Sequence, residues 1–286
     1  MFKTDVSNNI VFINPSTIVY NDYSILQLNY SNHLPMNGLY STYGVSYFHN
    51  LADLNSSIGI SVIHDRQFKG SLTNTVVNAY YSYKTEIGFE NALLFGLSGG
   101  YNFIKKDYSN LTFENNSFGI PVNSSKKYPD INTGLSFVIN KIHILGLSVS
   151  NLMSKYKDNP FSKTVNLSYY SQIENYNYHS LISYIEPVIN ISVNSATNQI
   201  LYGCNIGFSD FKTGILLNQS NFSVNSSTIL LGISFENYDL IYTYNINLSG
   251  VVSINPKLAA HEVTFINKIQ YKKRRSKHKA IKCPKI

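Results

Sequence analysis

The sequence predicts an all-β protein, an antiparallel transmembrane β-barrel of the outer-membrane type with 14 strands, and three observations predict it. Apolar and polar residues alternate with period 2 through most of the chain, the periodicity of a strand whose two faces meet different environments. No run of about 18 apolar residues occurs, which excludes a transmembrane helix, yet charged residues make up only 14 % of the chain, a low share for a water-facing surface. The connections between the strand-like segments alternate short and long, as in a barrel with tight turns at one end and larger loops at the other. A membrane protein without apolar helices has to close its sheet, because an open edge in lipid leaves N–H and C=O groups unpaired.

In chain order, residues 1–23 are expected as an N-terminal periplasmic segment, 24–271 as the barrel and 272–286 as a basic periplasmic tail. Strand character appears at 24–31, 39–48, 57–63, 75–84, 91–103, 133–139, 142–150, 164–173, 178–193, 198–208, 211–217, 228–235, 239–248 and 261–271. The alternation is clearest near the end. Ile229, Leu231, Ile233 and Phe235 oppose Gly232, Ser234 and Glu236, then Leu240, Tyr242, Tyr244 and Ile246 oppose Thr243, Asn245 and Asn247. Leu231, Ile233, Tyr242 and Tyr244 are therefore expected to face lipid. The last segment sets Val263, Phe265, Ile269 and Tyr271 against Glu262, Thr264, Lys268 and Gln270 and is expected to pair with the first. Short connections lie at 140–141, 174–177, 209–211 and 236–239, and long ones at 104–132, 151–163, 218–227 and 249–260. Tight turns belong to the periplasmic end, so an even strand number brings both termini there.

The net charge of +7 points to nucleic acid only until it is located. Nine basic residues fall between Lys268 and the end, while the rest of the chain holds 14 basic and 16 acidic side chains. A nearly neutral body excludes a phosphate-binding stripe; a charged tail is either a solvated end or a contact for a partner or anionic lipid. The two cysteines, Cys204 and Cys283, lack metal or redox spacing, and Cys204 is expected to be a buried, inert thiol. The opening MFKTDVSNN carries no secretory leader pattern. An outer-membrane protein requires one, so a start upstream or a leader already removed is expected.

No catalytic constellation emerges, and the chain is expected not to be an enzyme. His261-Glu262 lacks a second histidine four residues on and lies in a strand. His64-Asp65 has no marked nucleophile to serve. The glycines of "GLSGG" at 96–100 precede a strand rather than a helix, so they cannot cradle phosphate and instead permit bending or close packing within the barrel wall. No cofactor or metal motif is present. The candidate contact residues sit in the long connections, where function concentrates: Phe113, Phe118, Lys126, Lys127 and Tyr128 in 104–132, Tyr156 and Phe161 in 151–163, and Phe222 in 218–227.

"INPS" at 13–16, "SIGISVIHD" at 57–65, "LLFGLSGGYNF" at 93–103, "PDINTGLSFV" at 129–138, "ILGLSVSNLM" at 144–153, "LIYTYNINLSG" at 240–250 and "AAHEVTF" at 259–265 come in one order, with Cys-Pro at 283–284. Together they resemble the PorP/SprF family of outer-membrane proteins from the type IX secretion and gliding-motility systems of Bacteroidota. The residues that carry the resemblance are Asn14, Pro15, Asp65, His261, Glu262, Cys283 and Pro284. Ser16 stands for the family's usual alanine, Ala259 and Ala260 for Gly-Ser, and Asn245 for an aspartate. The resemblance implies an accessory barrel that docks, anchors or helps secrete adhesin-like surface proteins carrying a type IX C-terminal signal. It also implies periplasmic machinery as a further partner, outer-membrane lipid as the surroundings and no enzyme activity. A porin or hydrophobic-solute channel on the same fold is the alternative, and an outer-membrane hydrolase a third reading.

Overall fold

The computed structural model describes residues 6–33, 40–109, 123–154, 160–175, 181–220, 223–248 and 259–270, with side chains described from Asn9 onward. A short helix, α1 (Val6–Ile13), leads into a 3₁₀ helix at Pro15–Tyr20. The strands follow as β1 (Ser24–His33), β2 (Tyr40–Leu51), β3 (Ser56–Gln67), β4 (Leu72–Ile87), β5 (Asn91–Lys106), β6 (Ser124–Ile139), β7 (His143–Ser150) and β8 (Thr164–Ser171). The two-residue β9 (Ile173–Glu174) is followed by β10 (Tyr184–Asn194), β11 (Asn198–Phe208), β12 (Phe211–Ser220), β13 (Ser223–Ser234), β14 (Tyr238–Asn247) and β15 (Ala260–Ile269). β8 and β9 share one partner, β10, and count as one staggered wall strand, so the antiparallel ring has fourteen. It closes where β15 pairs with β1, with Leu28 opposite Phe265 and Tyr30 opposite Val263.

The period-2 pattern sets the two faces. Leu231, Ile233 and Tyr242 lie on the outer surface with Leu28, Val45, Ile60, Leu97 and Leu147; Tyr244 shares their side of the strand, half-buried. Between them Ser46, Ser61, Asn78, Ser136, Ser148, Thr228 and Thr243 point inward and are buried. Several of these small polar residues find hydrogen-bond partners inside, as Ser61 does in Tyr80 and Thr228 in Asn245. Cys204 departs from its expected burial: it alternates with the inward Asn205 and is half-exposed.

Three connections, 107–123, 151–163 and 248–259, are long and leave one end of the barrel, while the opposite end carries tight joins such as 140–142 and 209–210. Asn140 and Lys141 adopt φ of 52° and 55°, the mirror-image turn whose twist matches that of the flanking strands. Three expected connections are corrected. The short one at 174–177 becomes 175–183, at the tight-turn end, because β9 stops at Glu174 and β10 starts at Tyr184. The 218–227 loop shrinks to residues 221–222, because β12 runs on to Ser220 past a register shift at Asn218/Gln219 and β13 starts at Ser223. The 104–132 loop loses both ends to β5 and β6, which pair out to Lys106 and Ser124.

The N-terminal segment departs furthest from expectation. From Asn9 to Val19 it lies within the barrel, not beside it. Val11, Phe12 and Ile18 pack against Phe48, Ile63 and Tyr80, Val19 against Ala92, Leu94, Val138 and Ile144, and Ile13 against Val188, Leu201 and Leu216. Each fully buried apolar side chain stabilises the docked segment by roughly 1.5–3 kcal/mol as an upper estimate. That is why so short a piece of chain stays in the lumen.

Candidate functional site: a plugged lumen and its vestibule

The "INPS" motif is a compact piece of local chemistry. Asn14 is extended and caps the 3₁₀ helix, its Oδ1 accepting from Ser16 N at 3.1 Å, and Pro15 opens the helix where its missing N–H costs nothing. The amide's other end faces the wall: Asn14 Nδ2 donates to Ser136 Oγ at 2.9 Å. Ser16 Oγ donates to Asn14 Oδ1 at 2.8 Å and shares a hydrogen bond with Ser136 Oγ at 2.7 Å. Ser16 thus adds wall contacts through its hydroxyl. Ser148 Oγ donates to Ile13 O at 2.7 Å on the next strand.

The wall makes room through glycines. A Cβ on Gly96 would lie 2.1 Å from Ser16 N, and one on Gly134 would lie 1.9 Å from Asn14 Oδ1. These two glycines and Ser148 share one rung of the sheet, Gly96 opposite Gly134 and Gly134 opposite Ser148. Gly96 of "GLSGG", Gly134 of "NTGLS" and Gly146 of "ILGLS", whose Cβ would lie 2.6 Å from Asn14 Nδ2, therefore line a seat for the plug.

Across the lumen, Asn9 is fully buried. Its Nδ2 donates to Glu262 Oε1 at 3.0 Å, and its Oδ1 accepts from Gln27 Nε2 at 2.7 Å and Asn29 Nδ2 at 3.2 Å. The structure thus brings Asn14, Pro15 and Glu262 into one interior assembly. His261 points the other way, its Nδ1 2.7 Å from Tyr242 Oη and its ring against Tyr244. Asn245 donates to Thr228 Oγ1 at 2.7 Å, a neutral bond within the wall. Ala259 and Ala260 are buried.

Above the plug, toward the long connections, a cavity of about 230 Å³ remains. Val11, Phe12, Ile13 and Pro15 form its floor, and Asp65, Asn78, Asp130, Asn190 and Phe161 are among its walls. Asp65 accepts from Thr42 Oγ1 at 2.9 Å and from Gln67 Nε2 at 2.7 Å. Of the expected contact residues, Phe161 lies at this vestibule. Lys126 and Lys127 are exposed on β6, and Lys127 Nζ sits 5.4 Å from the Phe103 ring centroid. Tyr128, expected in a loop, is a buried strand residue, because β6 begins before it. Phe113, Phe118, Tyr156, Phe222, Cys283 and Pro284 lie outside the described residues.

Toward the short-turn end, Lys212 and Glu186 form a buried ion pair. Glu186 also accepts from Tyr170 Oη at 3.2 Å and Asn205 Nδ2 at 3.4 Å. A buried carboxylate needs that many partners to offset its lost hydration. Sequence reasoning missed this pair and the plug; the signal available was the "INPS" motif, whose cap-plus-proline pattern marks a helix start.

A profile of the family described as "Type IX secretion system membrane protein PorP/SprF" matches residues 2–266. No curated protein matches the chain. Among solved structures, the Pseudomonas putida toluene transporter TodX is similar at 7 % identity and TM-score 0.54, covering 92 % of this chain and 94 % of that one. A Pseudomonas aeruginosa FadL homologue is similar at 10 % identity and TM-score 0.52, covering 95 % of each. The Acinetobacter baumannii outer membrane protein Omp33 is similar at 5 % identity and TM-score 0.50, covering 86 % of this chain and 98 % of that one. These likenesses concern the fold.

Proposed function

Because the chain belongs to the type IX secretion system membrane protein PorP/SprF family and its barrel lies in the outer membrane, we propose that it docks and anchors adhesin-like surface proteins that leave the cell by that route. One observation carries this reading. The lumen is occupied by a plug fixed to separate parts of the wall through Asn9 and Asn14, and a vestibule floored by that plug faces the long connections. A barrel filled in this way is suited to holding a partner at its mouth; transport of solutes requires the plug to move first.

The ends are assigned by connection length, since barrels of this type keep short turns in the periplasm and long loops outside. On that assignment the vestibule, Lys126, Lys127 and the 107–123 connection face the exterior. The basic tail, 272–286, reaches periplasmic machinery, an electrostatic contact that weakens with salt. The role needs no catalytic group and no cofactor.

The test is affinity capture of the tagged barrel from native outer membranes followed by mass spectrometry, in wild type and with residues 110–122 deleted. Secreted proteins bearing a type IX C-terminal signal should co-purify with the wild type. The deletion should release them into the medium while the barrel stays in the membrane. Cargo retained at the wild-type level removes that connection from the mechanism, and a capture without secreted cargo removes the docking role.

A further inference from the structure

The vestibule wall spends its hydrogen-bond donors internally and leaves acceptors over. Asn78 Nδ2 and Asn132 Nδ2 each donate to Asp130 Oδ2 at 3.2 Å. Asn190 Nδ2 donates to Ser192 Oγ at 2.9 Å, Ser192 Oγ to Asn166 Oδ1 at 2.7 Å, and Asn166 Nδ2 to Ser148 Oγ at 3.3 Å. That chain ends on the plug at Ile13 O. The Oδ1 atoms of Asn74, Asn78, Asp130, Asn190 and Asn218 are buried without a hydrogen-bond partner among the described residues. All five line this one cavity.

Charge points the same way. Asp65 and Asp130 are the ionisable side chains of the lining besides Tyr80, and no Lys or Arg belongs to it. Neither carboxylate takes part in an ion pair among the described residues. Asp130 is 7 % exposed and Asn78 6 %, and a carboxylate held that far from water is costly unless a positive partner or several donors compensate it. The placement is specific. Asn78, Gly100 and Asp130 occupy one rung of β4, β5 and β6, and a Cβ on Gly100 would lie 2.3 Å from Asn78 Oδ1. The glycine is what lets the amide reach the carboxylate across the middle strand.

We propose that the vestibule is a binding site for an organic cation, a guanidinium or primary ammonium group received by Asp130 and Asp65 with the surrounding amide oxygens. A guanidinium offers five donors and no acceptor, and an ammonium three donors and none, which is the complement of a wall of unpaired acceptors. The apolar floor of Val11, Phe12 and Ile13 and the Phe161 ring accommodate the alkyl stem that carries such a group. An anionic guest would meet two carboxylates and no cation. A calcium ion wants six to eight oxygens, whereas the described residues hold no cluster of three or more His, Cys, Asp or Glu. The site stands independently of the docking role, since a free amine and an arginine or lysine of a protein segment share this chemistry.

The experiment is isothermal titration of the full-length barrel in detergent with four probes: acetyl-glycyl-arginyl-glycinamide, the same peptide with citrulline for arginine, putrescine, and calcium chloride. The arginine peptide or putrescine should bind, at least about ten-fold more tightly than the citrulline peptide, as expected for losing a charge-assisted hydrogen bond. Asp130→Asn and Asp65→Asn should each weaken that binding about ten-fold or more. Asp107→Asn should not; this exposed carboxylate is held down to about 2 by hydrogen bonds from Ser109 and then Lys105 and lies outside the lining. Preference for the peptide assigns the guest to a protein segment, and preference for putrescine to a small amine. Equal binding of the citrulline peptide, calcium binding in place of the organic cations, absence of binding, or full affinity in both aspartate variants overturns the proposal. Heat-modifiable mobility on gels verifies that each variant is folded.

Discussion

Asn9 and Glu262, 253 positions apart in the chain, are joined by a 3.0 Å hydrogen bond inside the barrel. Both are almost fully buried, and Gln27 and Asn29 complete the Asn9 amide from the neighbouring strand. Glu262→Ala should lower stability by about 1–3 kcal/mol, since it strands a buried amide donor. Glu262→Gln should cost less. Urea unfolding of the barrel in lipid vesicles measures both, and an alanine variant as stable as wild type would detach Glu262 from the plug.

The seat of the plug gives a second expectation. Gly134→Val puts carbon where Asn14 Oδ1 now lies, 1.9 Å from the added Cβ, and crowds Pro15 Cδ at 3.1 Å. Overpacking of this kind costs about 1–3 kcal/mol when the neighbours can shift, and the plug is the neighbour not bonded into the sheet. The variant should keep a heat-modifiable barrel, expose the 6–20 segment to protease and raise conductance in planar bilayers. Unchanged protection and conductance would show that the lumen is sealed by something else.

For the buried pair, Lys212→Met leaves Glu186 charged and without its cation, a change that costs about 3–5 kcal/mol. Adding Glu186→Leu should recover part of that loss, because the uncompensated charge is gone while the Tyr170 hydroxyl and the Asn205 amide lose an acceptor. Refolding yields of the two single variants and the double variant, compared as a cycle, decide the point. A double variant as weak as the lysine variant alone contradicts it.

The outer face can be tested against the inner one on a single strand. Leu231→Arg, on the exposed side of β13, should cost roughly 2–4 kcal/mol if it sits near the bilayer midplane. Gly232→Ala, on the other side, places its Cβ 3.4 Å from Lys212 Cβ, an ordinary contact, and should cost no more than about 1 kcal/mol. Insertion efficiency into vesicles reports both, and the reverse order would invert the register.

The wall of the barrel was legible because each strand separates lipid from lumen, and the alternation of Leu231, Ile233 and Tyr242 with Gly232, Thr243 and Thr228 records that division directly. Strand ends were less legible. Residues 124–129 read SSKKYP, which lacks apolar alternation because this part of β6 rises to the rim, where neither face has to be apolar. The seat of the plug was hidden for another reason. Asn14 and Ser136 are ordinary polar residues until the topology sets them 2.9 Å apart, and a glycine such as Gly134 does not announce which atom it makes room for. Asn78 and Asp130 likewise meet only through the register of three strands.

The fixation of Asn9 also bears on the order in which the molecule is made. Its partners sit on the first strand, at Gln27 and Asn29, and on the last, at Glu262, so its binding place is incomplete until those two strands have met. A ring still lacking β15, or one slipped in register there, leaves Asn9 without the carboxylate among its three partners and holds the N-terminal helix less firmly. Leakiness is therefore the mark of an unfinished ring, and the stopper is secured by the same event that finishes the wall.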